Sequence, residues 1–191
     1  MIEVRIHGRG GQGNVAASYL LAGTAIGQGW HALAFPTFGA ERRGAPVAAF
    51  VRMEQRPFRR RDQVKQPDYL IVQDETLLHD PATLAGLKPG GGILVNSRRP
   101  ATELGFEGRV HTLPATSLAE NYIGRPVPNT ALLAAFLGLT TLLPIEALSN
   151  ELARRFKGEV LAKNRALVAA VAQMIETGAW KEMEAPHAIG T

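Results

Sequence analysis

The sequence predicts an α/β fold: a doubly wound, mostly parallel sheet with helices on both faces and a helical C-terminal third. Three observations carry this prediction. Residues Ile2 to His7 alternate apolar and polar, run into the glycine-rich turn GRGGQG, and are followed by apolar residues at helical spacing. Two nearly unbroken apolar runs, DYLIVQD and GILVNS, are separated by a short helical pattern, as strands buried on both faces are. The last third is a succession of segments with helical spacing.

Taken in order, Ile2 to His7 is the first strand. VAASYLLAGTAIGQG (Val15 to Gly29) has apolar residues at helical spacing, Val15, Leu20, Leu21 and Ala25, and Gly27 and Gly29 mark its stop. HALAFPTFG (His31 to Gly39) is a short second strand ending near Pro36, AERRGAP is a polar loop, and Pro46 to Met53 is a third strand. Strand, helix, strand is the βαβ unit of a parallel or mixed sheet. The basic segment from Glu54 to Gln66 reads as a hairpin or loop. Asp68 to Asp74, Gly92 to Ser97 and Arg109 to Ala115 are the next three strands, and Pro81 breaks the helical pattern between the first two. TSLAENYIG, PNTALLAAFLGLTTLL, IEALSNELARRF and VLAKNRALVAAVAQMIETG are helices. Asn129 and Thr130 suit the cap of the second, and Pro144 the first turn of the third. No linker-like shift in composition interrupts the chain, so residues 1–183 are expected to form one domain, with 184–191 as a loose tail.

Composition narrows the chemistry. The 191 residues are 46% apolar and 20% charged, which is globular composition. No apolar run approaches the roughly 20 residues that cross a bilayer, and Glu3 and Arg5 interrupt any leader-like stretch, so a cytoplasmic protein without a membrane span is expected. The absence of cysteine excludes disulfides, thiolate metal sites, a catalytic thiol and a cysteine-ligated iron–sulfur cluster held by this chain. The net charge of +4 gathers at Arg42-Arg43 and in RPFRRR (Arg56 to Arg61). Without aromatic platforms or a nucleic-acid-binding pattern, those clusters read as solvated loops or as a face for an acidic partner, and nucleic acid is not expected.

Gly8, Gly10 and Gly13 fit G-x-G-x-x-G, with Gly11 added, between a strand and a helix. Glycines there admit a close approach of backbone to a ligand, and the helix start behind them favours an anion, with Arg9 and Gln12 at hand. The other reading is a tight packing corner. A dinucleotide site also expects an acidic residue about 20 positions on, at the end of the second strand. That strand ends instead in Phe35, Pro36, Thr37, Phe38 and Gly39, with Glu41 further out beside Arg42 and Arg43. In a parallel sheet the loops after neighbouring strands meet at one rim. GRGGQG and FGAERRGAP therefore share a rim of backbone amides, one carboxylate and three guanidinium groups, suited to carboxylate or phosphate.

GRGGQG, AFPTFGAERRGAPVAAFVR, PDYLIVQDETLL, GGILVNS and PVPNTALLAAFLG together resemble the gamma subunit, or gamma domain, of 2-oxoacid:acceptor oxidoreductases, the pyruvate:ferredoxin oxidoreductase type enzymes. The resemblance runs from Ile2 to about Phe156, and the pairing of GRGGQG with FGAERRGAP at this separation makes it specific. It implies a multisubunit complex of anaerobic metabolism that oxidatively decarboxylates a 2-oxoacid to an acyl-CoA and passes electrons to ferredoxin or NAD. It implies thiamine diphosphate, Mg and [4Fe-4S] clusters on catalytic alpha- and beta-type subunits and a ferredoxin-like cluster subunit. This chain has no G-D-G followed by Asn at the thiamine-site spacing and no cysteine, so by the resemblance it holds no catalytic or metal-binding residue of its own. Gly8, Arg9, Gly10, Gly11, Gln12, Gly13, Glu41, Arg42 and Arg43 are, by the same resemblance, the positions for coenzyme A or for partner chains. Two other readings stand beside it: a free-standing Rossmann-like enzyme using NAD, and a purely structural assembly subunit.

The remaining polar residues are less pointed. His7, His31, His79 and His111 lack metal-ligand spacing and read as structural, His7 being nearest the glycine turn. Asp74 and Glu75 end the fourth strand on the same rim and read first as a helix cap. Asn96 and Ser97, backed by Arg98 and Arg99, end the fifth strand in the same way.

Overall fold

The structure, a computed structural model, describes residues 1–36 and 44–181. Six strands form one sheet: β1 (Ile2–Arg9), β2 (His31–Pro36), β3 (Pro46–Glu54), β4 (Tyr69–Val72), β5 (Gly92–Asn96) and β6 (Val110–Leu113), in the order β2-β3-β1-β4-β5-β6. β1, β4, β5 and β6 pair in parallel. β3 is antiparallel to both β1 and β2, so five strands share one direction and β3 alone opposes them. The expected βαβ unit is present, with β3 slipped between its two strands.

The helices are α1 (Asn14–Gly27), α2 (Pro81–Leu84), α3 (Ala115–Ile123), α4 (Asn129–Thr140), α5 (Ile145–Arg155) and α6 (Gly158–Met174). Short 3-10 turns lie at Glu75–His79 and Ala101–Leu104. Helices cover both faces, but unequally. Val4, Ile6, Val51, Ile71 and Leu94 point into the main core with α1, α3, α4, α5 and α6. Their neighbours Leu70, Val72, Ile93 and Val95 point the other way, onto a thin layer that includes Leu77, Leu84 and Leu104. The two-residue alternation along β4 and β5 thus feeds two separate cores.

α4 is buried at every residue, apolar all round, and forms the centre of the main layer. Tyr69 lies edge-on to Phe136 at 5.3 Å and stacks on Trp180 at 6.0 Å. Trp180 lies where a Cβ on Gly92 would be, so glycine there admits the indole.

The basic segment after β3 is a loop held from beneath. Arg52 is fully buried; its Nε is 2.7 Å from Glu3 Oε1, and its terminal nitrogens donate to the Asp62 and Gln63 carbonyls. Asn129 departs from its expected role. Pro128 holds the cap position, no side chain caps the helix, and Asn129 Nδ2 donates to the Gly13 carbonyl at 2.9 Å. The long-range bond through Nδ2 orients the carboxamide, and Oδ1, the atom a local cap would use, accepts no bond among the described residues.

Candidate functional site

The turn between β1 and α1 is built from its own residues. Gln12 N–H donates to the Arg9 carbonyl at 3.0 Å, closing a four-residue turn, and Gln12 Oε1 accepts from Arg9 N–H at 2.7 Å. Gly11, third in the turn, has φ +95°, and nothing lies within 4 Å of where its Cβ would be. Only its backbone conformation demands glycine. Gly13 caps α1 in the left-handed region, φ 82° and ψ 29°. A Cβ there would meet Asn129 Nδ2 at 2.6 Å. A Cβ on Gly8 would collide with the side chain of Asn14, whose Nδ2 donates to the Val47 carbonyl at 2.8 Å. Gly8 and Gly13 therefore serve packing, while Gly11 faces open space.

Gly10 joins the turn to the second rim segment. Its N–H donates to Ala45 O at 2.9 Å and its carbonyl accepts from Gly44 N–H at 3.3 Å. Glu41, Arg42 and Arg43 lie outside the described residues; Gly44, which follows them, lies directly beside the turn.

Arg9 is committed within the chain. Its Nε is 2.8 Å from Asp74 Oδ2, one terminal nitrogen donates to Thr76 Oγ1 at 2.7 Å, and the other to Gly44 O at 3.2 Å. It links the ends of β1 and β4 and the loop before β3. Asp74 caps the following turn by accepting from Thr76 N–H, as expected, and also anchors Arg9. Burial works to raise the Asp74 carboxyl; hydrogen bonds from Thr76 and the Arg9 guanidinium outweigh it and hold the carboxyl below its ordinary range.

Beyond Asp74 the rim opens into a cleft of ≈ 430 Å³ at the ends of β4, β5 and β6, lined by Gln12, Gln73, Glu75, Asn96, Thr116 and their neighbours. Asn96 frames it: Nδ2 donates to Gln73 O and Thr116 Oγ1, and Oδ1 accepts from Thr116 N–H. Ser97 hydrogen-bonds Glu75, and Arg98 donates to Ser117 Oγ at 2.7 Å. The expected residues Asp74, Glu75, Asn96 and Ser97 thus meet at one place.

His7 is turned away from this cleft. On the opposite face its Nε2 accepts from Arg5 Nε at 2.8 Å, while Arg5 also donates to the Thr83 and Ala85 carbonyls. Burial first, then the Arg5 charge, lowers the imidazole to about 4, against a smaller opposing effect of Asp80. It is a neutral structural acceptor. Burial also lowers His111. Among the described residues no three His, Cys, Asp or Glu gather as metal ligands, and no helix is long and apolar enough to cross a membrane.

Sequence reasoning missed Gln73, Asn14 and Thr116. Gln73 carried a readable signal, an amide ending an otherwise apolar strand run. Asn14 carried a weaker one, its place directly after the last glycine.

Strand order and rim together define a doubly wound α/β protein with an open cleft at the carboxyl ends of β4, β5 and β6. Residues 3–174 match the pyruvate ferredoxin/flavodoxin oxidoreductase family (POR). Pyruvate synthase subunit PorC of Methanocaldococcus jannaschii is 43% identical over 164 residues, 86% of this chain and 91% of that one. The pyruvate/ketoisovalerate oxidoreductases common subunit gamma of Pyrococcus furiosus is 41% identical over 169 residues, again 86% and 91%. The crystal structure of pyruvate oxidoreductase subunit PORC from Thermotoga maritima superposes with a TM-score of 0.81 at 36% identity, over 90% of this chain and 95% of that one. The 2-oxoglutarate:ferredoxin oxidoreductase of Magnetococcus marinus, solved with 2-oxoglutarate, coenzyme A and succinyl-CoA bound, shares the fold: TM-score 0.73 at 20% identity, over 91% of this chain and 31% of that one. The chain belongs to the pyruvate ferredoxin/flavodoxin oxidoreductase family, as a gamma-type subunit of a 2-oxoacid:ferredoxin oxidoreductase complex.

Proposed function

We propose that this subunit completes the coenzyme A side of a cytoplasmic complex that oxidatively decarboxylates a 2-oxoacid to an acyl-CoA, passing electrons to ferredoxin or NAD. Thiamine diphosphate with Mg and the [4Fe-4S] clusters belong to alpha-type, beta-type and ferredoxin-like partners; a chain without cysteine has no thiolates for a cluster. Residues 1–183 act in this reading as one gamma-type domain. Gly8, Arg9, Gly10, Gly11, Gln12 and Gly13, with Glu41, Arg42 and Arg43, build the face toward coenzyme A, Gly8 and Gly13 through the close packing behind it.

One observation carries the reading. Gly11 presents bare backbone to open space at the start of α1, and the Gly10–Gly44 hydrogen bond anchors the chain just after Arg42 and Arg43 beside it. The first bond within α1 runs from Ala17 N–H to Gly13 O, so the amides of Asn14, Val15 and Ala16 have no partner inside the helix. Helix-start amides and nearby arginines suit phosphate groups. Arg9 supports this face rather than touching the ligand, because its guanidinium is already shared among Asp74, Thr76 and Gly44.

The test is an Arg42→Ala/Arg43→Ala variant in the assembled complex. The expected result is a KM for coenzyme A raised about tenfold or more with assembly intact, the effect of losing charge-assisted contacts. Unchanged kinetics refute the assignment, and loss of assembly assigns the two arginines to a partner interface.

A further inference from the structure

Among the described residues three buried carboxamides near the strand ends carry unpaired atoms: Asn14 Oδ1, Asn129 Oδ1, and both Oε1 and Nε2 of Gln73. Asn14 and Asn129 each still use their nitrogen. The Gln73 side chain uses neither atom. It directly follows β4, is 1% exposed and lines the cleft. Its backbone is fully engaged: N–H donates to His7 O at 2.8 Å and the carbonyl accepts from Asn96 Nδ2 at 2.9 Å. The strand is therefore fixed and only the side-chain amide is idle. Buried amides without partners are rare and costly, and each one asks for an explanation.

Most other polar groups of the cleft are held by partners within the protein. Asp74 and Thr76 hold Arg9, Asn96 holds Thr116, Ser97 holds Glu75, and Arg98 holds Ser117. Glu120 is exposed. Among the described residues the lining bears three carboxylates, Asp74, Glu75 and Glu120, against one guanidinium, Arg98, and Asp74 is paired with Arg9 beside it. An excess of carboxylate over guanidinium suits a neutral polar group better than a phosphate.

We propose that the Gln73 carboxamide recognises an uncharged part of coenzyme A that offers both a hydrogen-bond donor and an acceptor. An amide of the pantetheine arm and the edge of the adenine base both have this chemistry. The inference rests on the coenzyme A reading above and divides the ligand: phosphates at the start of α1, an uncharged part in the cleft. In this reading the amide reaches the ligand by rotation about the Gln73 side-chain torsions, from a position that already lines the cleft.

The test uses the assembled complex carrying Gln73→Met, which keeps side-chain length and removes both hydrogen-bonding atoms. Binding is measured by calorimetry with coenzyme A and by competition with adenosine 3′,5′-bisphosphate and 4′-phosphopantetheine. The expected result is about tenfold weaker coenzyme A binding, the same loss for one fragment only, and a midpoint of thermal unfolding equal to or above that of the unaltered complex. The fragment affected names the part that Gln73 reads. Equal loss on both fragments marks a distorted cleft and overturns the proposal. A complex that fails to assemble also overturns it, since the amide then serves a structural contact. If Gln73→Met binds coenzyme A normally while Arg42→Ala/Arg43→Ala weakens it, this inference falls and the coenzyme A reading stands. If neither variant changes binding, both fall.

Discussion

Replacing glycines of the turn one at a time separates packing from ligand access. At Gly13, alanine places an L residue at φ 82°, which costs about 1–2 kcal/mol. Its Cβ would stand 2.6 Å from Asn129 Nδ2, so that amide must move and give up its 2.9 Å bond to the Gly13 carbonyl. Losing that bond and stranding a buried amide adds about 1–3 kcal/mol. The sum is about 3 kcal/mol, a fall in unfolding midpoint of roughly 6–12 °C for a domain of this size. Gly11→Ala bears only the backbone term, at φ +95° with nothing within 4 Å, and falls by roughly 2–8 °C. Thermal unfolding of the purified chain, followed by circular dichroism, measures both, and coenzyme A kinetics of the complex measure function. Gly11→Ala should impair coenzyme A use more than stability, and Gly13→Ala the reverse. Equal midpoints for the two variants would refute the assignment of Gly13 to packing.

Three further outcomes follow from the buried polar groups. Arg52→Ala leaves Glu3 buried without its main partner and should lower the unfolding free energy by about 3–5 kcal/mol in urea titration, with Arg52→Met/Glu3→Gln recovering part of it. His7 is lowered to about 4, so the unfolded chain binds its proton more readily between that value and its ordinary 6.5; stability should be full above pH 6.5 and fall as pH drops toward 4. His7→Gln should flatten that slope in urea midpoints taken across the window. Asp74 is also held below its ordinary value, but its contribution stays intact at pH 5 and is lost only as pH falls through the folded carboxyl's range, so Asp74→Asn should remove a purely acidic-limb effect.

The sequence made the strands legible because each leaves a local mark. Tyr69–Val72 and Gly92–Asn96 are nearly pure apolar runs, and the alternation of Ile2 to His7 marks β1. Strand order was less legible. β3 sits between β1 and β2 because its register pairs Ile2 with Met53 and His31 with Glu54, and such long-range pairing leaves no local pattern. The unequal helical layers escaped for the same reason, since periodicity shows that a helix has a buried face but not which side of the sheet receives it. Asn129 shows the limit at the site. Its place after Pro128 fits a cap, and only the fold brings the Gly13 carbonyl within reach across 116 residues.

The glycine turn and the cleft divide the rim by charge. β1 and β4 diverge at their carboxyl ends: the chain after β1 enters α1 on the main face, and the chain after β4 enters a short turn on the other. Arg9 holds the two ends together through Asp74 and Thr76, which leaves the α1 start on one side and the carboxylate-lined cleft on the other. A uniformly anionic ligand would suit the cleft poorly, and a uniformly neutral one would leave the helix-start amides unused. A ligand with phosphates at one end and amides or a base along its length matches both halves. Cutting the Arg9 link should therefore loosen the relation between the halves rather than remove a contact. In the assembled complex, Arg9→Met is expected to raise the KM for coenzyme A while leaving the binding of each isolated fragment nearly unchanged. Loss of fragment affinity in step with the whole ligand would show instead that Arg9 touches the ligand directly, contrary to its present bonds to Asp74, Thr76 and Gly44.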